Sequence, residues 1–375
     1  MSNYKRALKT LNLEFTDRIT HWEYISNPDF VTELTGIDAY EHPQKARLRT
    51  LELLDWDVVW RVPMTDEPSD IQFKNGESVK ANKRGEKVVR WGAGATWSWD
   101  HSSMFKSIED IRKFDPISFF LEGNQKIIFE DMDPIQRWFS LSLEDLANKL
   151  DSYQRKVQNI VGSRAVYPAF YYRTLLMWPL MLFGWERTAE LAYCYKEDFK
   201  RIFSGFAEIS KKVMKAFAMT DIIAIVSHDD ICMTSGPIFN PKWYRENLYG
   251  YYEEIWEPLK EAGKKIIFVS DGKLDEVIDD LVAAGIDGII VETFTDLNKV
   301  AKKYKNRLIM VGNMDSRILL MGGKDDIKKE VDRCTAFGID CPGYFYGVTN
   351  HITWNIPVEN VKFYFEYCKG KGVRK

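Results

Sequence analysis

The segment 264–293, KKIIFVSDGKLDEVIDDLVAAGIDGIIVET, decides the fold because it holds two strands and the helix between them. Its first apolar run, KIIFVS, stops at Asp271-Gly272, and its second, IDGIIVE, stops at Glu292. The intervening LDEVIDDLVAA carries apolar residues three and four positions apart and is followed by Gly285, which predicts a helix with one buried face. Strands that are apolar along their whole length are covered on both faces, as in parallel β/α folds. The carboxyl ends of such strands carry the chemistry, so Asp271 and Glu292 are expected on the same rim.

The same strand-and-helix unit recurs along the chain. Apolar runs that end in polar residues or turns predict six further strands: one ending near Glu23, one within 55–64, and those at 163–171, 220–230, 307–312 and 343–348. The intervals of a few tens of residues are those of a repeated β/α unit, and 375 residues suit one decorated barrel. We therefore predict an α/β fold, a single (β/α)8 TIM barrel domain over 1–375, with an N-terminal elaboration and an excursion from the barrel at about 66–104.

Helix signals fill the segments between these strands. Residues 143–160 have the spacing of an amphipathic helix, and one long helix is predicted over 240–263. Asp296 and either Asp325 or Asp326 are expected to cap the helices that follow two of the later strands.

Composition excludes several classes of protein. A net charge of -3 with 29% charged residues gives no electrostatic case for a nucleic-acid or membrane partner. Five scattered cysteines and an N-terminus without an apolar core predict a reduced, cytoplasmic protein. The most apolar patch, 175–185, is too short for a membrane span and contains Pro179, so it is expected to be buried or to form the wall of an apolar pocket. The chain has no GxGxxG, P-loop, CxxC or HExxH, which leaves dinucleotide, nucleoside triphosphate and simple thiolate-zinc sites without support.

Polar residues at the predicted strand ends are the candidates for chemistry. Asp271 is a candidate ligand or acid/base group, with a helix cap as the alternative. Glu292 follows a fully apolar strand and would cost several kcal/mol if buried unpaired, which favours a role in a site. His351 is suited to ligation or proton transfer, or to a structural hydrogen bond. The segment His228-Asp229-Asp230 combines an imidazole with two carboxylates, one of which is expected to cap a helix or face away.

The same segments resemble the uroporphyrinogen decarboxylase superfamily, and within it the corrinoid-dependent methyltransferases. The match runs over nearly all of the chain and is most specific from 226 to 362. The sequences that carry it are KRAL and TDRI near the N-terminus, SHDDICMTSGPIFNPKWYREN, FVSDG, GNMDSRILLMGGKDDIKKEV, CPGYFYGVTNHI and NIPVEN. The resemblance implies a (β/α)8 barrel with its site at the C-terminal rim.

Two departures from the family pattern narrow the choice within it. Coenzyme M methyltransferases of the superfamily carry His-x-Cys-Gly where this chain has Val269-Ser270-Asp271-Gly272, and a later Cys where it has Asn350. With both thiolates absent, a soft zinc site that activates a thiol is not expected. The porphyrinogen decarboxylases hold a tetracarboxylate with an Arg-rich segment and an Asp, which the acidic rim predicted here suits badly.

The SDG, HDDIC and CPGYF...NHI segments are most similar to the first-component methyltransferases of O-demethylase systems. Those proteins pass the methyl group of a methoxylated aromatic acid, or a similar phenyl methyl ether, to the cob(I)alamin of a partner corrinoid protein. The group is associated with a zinc motif Glu-x14-Glu-x20-His, and its spacing recurs as Asp315, Glu330 and His351, with Asp in the first position. Because Glu330 falls on a predicted outer helix, Asp271, Glu292, Asp315 and His351 are the expected ligands if zinc is bound.

The implied reaction needs an acid or a Lewis acid on the ether oxygen, because phenolate is otherwise a poor leaving group. The catalytic residues implied are Glu292, Asp271, His351, His228 and Asp230. The residues expected to bind the substrate are Trp97, Trp99, Tyr171, Trp178 and Phe294 as walls for the ring, with Asn313 and Asn350. The 14% aromatic content that suggests such a pocket is equally that of an aromatic-rich core.

Other functions stay open at this level. They are a decarboxylase like uroporphyrinogen decarboxylase, a methylcobalamin-dependent methyltransferase with another donor or acceptor, and a non-catalytic barrel that binds a ligand. The sequence also leaves open whether the chain is a monomer or a homodimer.

Overall fold

The computed structural model describes residues 1–68, 73, 77–81, 87–92, 94–97, 104–121 and 138–374, with the backbone alone at 81, 87, 94–97 and 121. The chain forms two compact units. The first unit comprises Met1–Ser98, Lys156–Pro168 and Gly288–Lys375, and the second comprises Trp99–Arg155 and Ala169–Asp287. That the whole chain is one domain stays a prediction.

The elements of the described residues are numbered in chain order. The strands are β1 (Thr20–Glu23), β2 (Val58–Val59), β3 (Val79–Ala81), β4 (Lys87–Trp91), β5 (Gly94–Trp97), β6 (Ala169–Tyr172), β7 (Ala224–His228), β8 (Cys232–Met233), β9 (Gly236–Pro237), β10 (Lys265–Ser270), β11 (Gly288–Val291), β12 (Ile309–Val311) and β13 (Tyr344–Tyr346). The helices are α1 (Asn3–Leu11), α2 (Pro28–Thr35), α3 (Pro43–Leu53), α4 (Ile108–Arg112), α5 (Pro116–Leu121), α6 (Leu143–Val161), α7 (Met177–Phe183), α8 (Trp185–Cys194), α9 (Lys196–Ala218), α10 (Pro241–Asn247), α11 (Tyr249–Glu261), α12 (Ile278–Ala284), α13 (Leu297–Tyr304), α14 (Ser316–Met321), α15 (Lys324–Gly338) and α16 (Val358–Lys371).

Five parallel strands form the main sheet of the first unit, in the order β2-β1-β13-β12-β11. Every residue of β1, β2, β12 and β13 is buried, as expected of a sheet covered on both faces. Thr20 pairs with Phe345 and Trp22 pairs with Val58, so the segments that follow β1, β2 and β13 leave the sheet at the same edge. Within the predicted excursion, the described residues of 79–97 form a separate antiparallel sheet in the order β3-β4-β5.

The second unit has three parallel strands in the order β10-β7-β6. In β10 every residue after Lys265 is buried, which accounts for the continuous apolar run. The chain turns sharply after this strand at Gly272, which has a φ of +88°. A Cβ atom there would lie 2.7 Å from the carbonyl carbon of Cys232, so only glycine fits and Asp271 is fixed at the strand end.

All eight strands predicted for the β/α repeat are present, five in the first unit and three in the second, and the α/β (β/α)8 fold class is confirmed. The apolar patch 175–185 contains α7, and every residue of that helix is buried. In the described part of the chain, no helix is long and apolar enough to cross a membrane.

Three helix predictions differ from the structure in their boundaries or caps. The long helix over 240–263 is divided into α10 and α11, because the backbone of Leu248 leaves the helical conformation while its side chain is fully buried. Packing of that side chain outweighs helix continuity. The helix after β10 begins only at Ile278, after one turn. Asp296 caps α13 as predicted, whereas Asp326 lies in the first turn of α15 and accepts a hydrogen bond from the cap residue's N–H.

Candidate functional site

A group of three aromatic side chains and one imidazole, the aromatic cluster, lies at the carboxyl ends of strands of the first unit. Tyr24 follows β1, Trp60 follows β2, Trp91 is the last residue of β4, and His351 lies in the segment after β13. The rings of Trp91 and His351 stack with their centroids 4.0 Å apart, and the Tyr24 ring lies 5.4 Å from that of His351 and 6.3 Å from that of Trp60. The indole N–H of Trp91 donates to the Tyr24 hydroxyl at 2.7 Å. The three aromatic side chains are half-buried, so this cluster can present ring faces to a flat ligand.

The imidazole of His351 is held in one tautomer. Its Nδ1 lies within hydrogen-bond distance of Oδ1 of Asn350, which can only accept, so Nδ1 carries the proton. Burial, followed by the positive charge of Arg61, lowers the pKa of His351 to about 4. At neutral pH the ring is uncharged and its Nε2 carries a lone pair. This nitrogen can accept a hydrogen bond from a ligand hydroxyl or bind a metal ion, but it cannot donate a proton.

A buried carboxyl group connects β1 to the segment that carries His351. Glu23 is 1% exposed, and its Oε2 accepts a hydrogen bond from the backbone N–H of Val348 at 3.0 Å. Its Oε1 accepts from the hydroxyl of Tyr364 at 2.5 Å. Burial raises the pKa of Glu23 to about 8, against the two hydrogen bonds, which lower it. Glu23 is therefore protonated at neutral pH, and it fixes the segment that leads to His351.

The predicted site residue Glu292 follows β11, where its backbone is held in place by Asn313. The amide nitrogen of Asn313 donates to the carbonyl oxygen of Glu292 at 3.1 Å and to that of Thr295 at 2.9 Å. The Oδ1 atom of Asn313 in turn accepts from the guanidinium of Arg333 at 3.2 Å. Asn313, predicted to bind substrate, thus acts on the loop that carries Glu292.

Asp315, Glu330 and His351 have the spacing of the zinc motif, and the structure brings the first two of them together. Glu330 lies on a helix, α15, as predicted, but the backbone N–H of Asp315 donates to its Oε1 at 3.0 Å. The expectation that Glu330 could not easily reach the strand ends is therefore wrong, and the residue is 7% exposed. Both carboxylates have arginine partners at 2.6 Å, Arg317 for Asp315 and Arg333 for Glu330. His351 belongs to the aromatic cluster instead.

These positions do not assemble a zinc site. Among the residues that the structure describes, no group of three or more His, Cys, Asp or Glu side chains is placed to hold a metal ion. The carboxylates of Asp315 and Glu330 are already neutralised by arginines, which leaves the predicted donor set incomplete.

The second unit has its own cluster at strand ends, the histidine–carboxylate cluster of His228, Asp230 and Asp271. Nε2 of His228 lies 3.1 Å from Oδ1 of Asp230, and that oxygen also accepts from the backbone N–H of Asp271 at 2.8 Å. Burial would lower the pKa of His228, but the charge and hydrogen bond of Asp230, followed by the charge of Asp271, raise it above its ordinary value. This imidazole retains its proton more readily than a free one and can serve as a general acid.

Asp229, between these residues in sequence, has a structural role. Its carboxylate is fully buried and accepts from the backbone N–H groups of Leu175, Leu176 and Met177 at 2.7–3.0 Å. The hydroxyl of Tyr252 donates to it at 2.6 Å. Asp229 thus organises the chain at the start of α7, which confirms the expectation that one of the two aspartates caps.

The predicted ring walls fall into three groups. Tyr171 and Trp178 are fully buried and pack against Phe139, so they belong to the core of the second unit and the prediction that they line a pocket is corrected. Phe294 is 37% exposed, with the guanidinium carbon of Arg317 at 5.5 Å from its ring centroid. The Trp97 side chain and the whole of Trp99 lie outside the described residues.

Sequence reasoning missed Tyr24, Trp60, Arg61 and Glu23. Each is the last residue of the observed strand β1 or lies within two positions beyond β1 or β2. With these strand ends known, the rule that singled out Glu292 would have found them. Restricting that rule to polar residues on the later strands excluded them.

Three comparisons with known proteins bear on this arrangement. The family model described as uroporphyrinogen decarboxylase (URO-D) matches residues 179–370, which is 192 of 375 residues and more than half of the chain. The uroporphyrinogen decarboxylase of Syntrophotalea carbinolica is 25% identical over 173 residues, which cover 46% of this chain and 49% of the relative. That of Chlorobaculum parvum is 26% identical over 137 residues, 35% of this chain and 38% of the relative. The match thus spans about half the length of the first relative and less of the second.

A solved structure described as a methyltransferase from Methanosarcina mazei covers 99% of both chains with a TM-score of 0.61 and 15% identity. At that identity the likeness shows a shared fold. The family match over more than half of the chain makes this chain a member of the uroporphyrinogen decarboxylase family.

Proposed function

We propose that this protein is a methyltransferase that moves the methyl group of a phenyl methyl ether, a methoxylated aromatic acid such as vanillate, to the cob(I)alamin of a partner corrinoid protein. The observation that carries the proposal is the aromatic cluster at the strand ends of the first unit. The full-length likeness in fold to a protein described as a methyltransferase supports it.

The aromatic cluster suits the ring of such an ether. Its side chains are half-buried, and Tyr24 and Trp91 are fixed to each other by a hydrogen bond, so little conformational freedom is lost when a ring packs on them. Each aromatic pair in an offset or edge-to-face arrangement contributes about 0.5–1.5 kcal/mol beyond the area it buries. A pocket of this kind orients the ring, which is the main task of the protein when the nucleophile comes from a partner.

The reaction breaks the bond between the methyl carbon and the ether oxygen, and the electron pair of that bond stays on the oxygen. The cob(I)alamin of the partner supplies the electron pair that bonds the methyl group. The phenolate oxygen then needs a proton, because an unassisted phenolate leaves poorly. Solvent water supplies that proton.

A cofactor-free decarboxylase is the second candidate, because the curated relatives are uroporphyrinogen decarboxylases. It predicts that carbon dioxide is released with no cobalamin present. The methyltransferase predicts no carbon dioxide and a methylated cobalamin.

The test is to incubate the protein with chemically reduced cobalamin and a panel of methoxybenzoates. Absorbance reports methylcobalamin, and a parallel sample without cobalamin is assayed for carbon dioxide. Trp91→Ala should lower the rate at least about tenfold, since it removes one wall of the aromatic cluster. The matched control is Trp185→Ala, which alters a 55% exposed tryptophan of the second unit and should leave the rate unchanged. Carbon dioxide without methylcobalamin would overturn the proposal in favour of the decarboxylase.

A further inference from the structure

We propose that the indole N–H of Trp22 determines substrate specificity, by donating a hydrogen bond to an oxygen atom that the substrate ring carries opposite its methyl ether. The inference deepens the proposed function and rests on it for the substrate class. It assigns no part of the methyl transfer itself to Trp22.

Trp22 lies beside the aromatic cluster, on the strand that leads to Tyr24. It belongs to β1, and Tyr24 follows that strand directly. Side chains two positions apart on a strand point to the same face. The ring of Trp60 contacts both residues, with its centroid 6.1 Å from that of Trp22 and 6.3 Å from that of Tyr24. Trp22 therefore lies on the cluster side of β1, about 7 Å further from the strand end than Tyr24.

The indole N–H of Trp22 is a buried donor without an acceptor. The residue is 1% exposed, and within the described part of the chain no group accepts a hydrogen bond from its Nε1. Edge-to-face packing on Phe345, with the ring centroids 5.5 Å apart, fixes the orientation of the indole. Buried N–H groups in native proteins nearly always have a partner, and an unpaired one costs free energy. A ligand oxygen that reaches Trp22 would satisfy this donor.

The depth of Trp22 decides which end of a ligand it meets. A substrate ring that packs on Tyr24 has one end at the strand ends and the other end directed toward Trp22. The methyl ether has to stay at the strand ends, because the cobalt of the partner protein approaches from outside. The substituent opposite the ether is then the one that meets the indole N–H. Trp60 is half-buried and contacts both rings, so a shift of this side chain opens the path to Trp22.

A neutral N–H donor selects an oxygen-bearing substituent over an apolar one. The oxygen of a carboxylate or an aldehyde can accept its hydrogen bond, whereas a methyl group of similar position cannot. In a buried site water does not replace the missing acceptor, so the difference in binding free energy is larger than it would be at the surface. Substrates with an oxygen function opposite the ether are therefore preferred.

The test measures binding without turnover, by isothermal titration calorimetry with no cobalamin present. The probes are 4-methoxybenzoate, 4-methoxybenzaldehyde and 4-methylanisole, which share the ring and the ether, while only the first two carry oxygen opposite the ether. The variant Trp22→Phe keeps an aromatic ring and removes the N–H. The matched control is Trp56→Phe. Trp56 is also 1% exposed and its Nε1 also lacks an acceptor among the described residues, but its ring lies against Arg47, with the guanidinium carbon 5.1 Å from the ring centroid.

Trp22→Phe should weaken binding of the benzoate and of the aldehyde about tenfold and leave binding of 4-methylanisole within about twofold. Trp56→Phe should match the wild type for all three probes. Equal weakening of all three probes by Trp22→Phe, or no weakening of any, would overturn the inference.

If Trp22→Phe does not fold, the wild type decides the matter. Its indole N–H signals are followed by NMR in protein labelled with nitrogen-15 tryptophan. The benzoate and the aldehyde should move one indole proton signal downfield that 4-methylanisole leaves in place, and the absence of such a shift would overturn the inference. If binding depends on Trp22 as expected but methyl transfer never occurs, the proposed function fails and this binding site stands.

Discussion

The buried carboxyl group of Glu23 makes a quantitative prediction about stability. Its pKa is raised from an ordinary 4.5 to about 8 by burial, so the folded chain keeps a proton that the unfolded chain releases above about pH 4.5. Proton binding therefore favours the folded state: this contribution to the free energy of unfolding is complete below pH 4.5 and is lost as the pH rises through 8. Between pH 5 and pH 8 the loss amounts to about 3 kcal/mol.

Replacing Glu23 by Gln removes this titration while keeping a similar shape. Glutamine can accept from Val348 N–H through its Oε1 and donate from its Nε2 to the Tyr364 hydroxyl oxygen, so the variant should fold. The difference in free energy of unfolding between Glu23→Gln and the wild type should shift by about 3 kcal/mol in favour of the variant between pH 5 and pH 8. Other titrating groups are present in both proteins and cancel in that difference.

The assay is denaturant unfolding followed by circular dichroism at several pH values between 5 and 8 and at constant ionic strength. The matched control is Glu257→Gln, which alters an exposed glutamate on α11. This variant measures the effect of changing a glutamate to glutamine at the surface, and its difference from the wild type is subtracted from that of Glu23→Gln. A Glu23→Gln difference that is flat across this range would show that the carboxyl group is already ionised in the folded protein and would refute the reasoning.

The other variants test the strand-end residues. Glu292→Gln and His351→Ala should each lower the rate of methyl transfer at least about tenfold, while both variants unfold at the same denaturant concentration as the wild type. A rate near that of the wild type in both variants would show that these residues are not part of the site. Asp229→Ala should lower the free energy of unfolding by about 3 kcal/mol, because three backbone N–H groups lose their buried acceptor, and a loss below about 1 kcal/mol would contradict that role.

The fold was readable from sequence because each strand is a short apolar run with a clear end. Asp271-Gly272 shows why: a buried run, a carboxylate and a glycine required by its positive φ are all local signals. The division of the helix at Leu248 was not readable, since the chain leaves the helix there while the Leu248 side chain is fully buried. Tyr171 and Trp178 failed as pocket walls for a related reason, because aromatic content does not say which face of a strand or helix a ring occupies.

The candidate site was readable in part. His351 was singled out from its place after a strand, but its stacking partner Trp91 lies in the excursion, 260 residues earlier in the chain (351 − 91), and such a contact leaves no local pattern. The motif spacing includes both Asp315 and Glu330, and the backbone N–H of Asp315 does contact the Glu330 carboxylate, although Glu330 was expected not to reach the strand ends. It did not anticipate that arginines would neutralise both carboxylates, since the partner of a charge depends on the tertiary arrangement.

The central claim is that the methyl group of an aryl ether leaves for cobalt, and following that methyl group tests it most directly. A methoxybenzoate labelled with carbon-13 in the methoxy carbon is incubated with the protein and the reduced cognate corrinoid protein, and with free cob(I)alamin at the same concentration, and the label is followed by NMR. The account predicts that the label moves to cobalt with an equal amount of demethylated phenol formed, faster with the corrinoid protein because a docked partner is oriented. A label that stays in the methoxy group while the carboxylate is lost as carbon dioxide would contradict it.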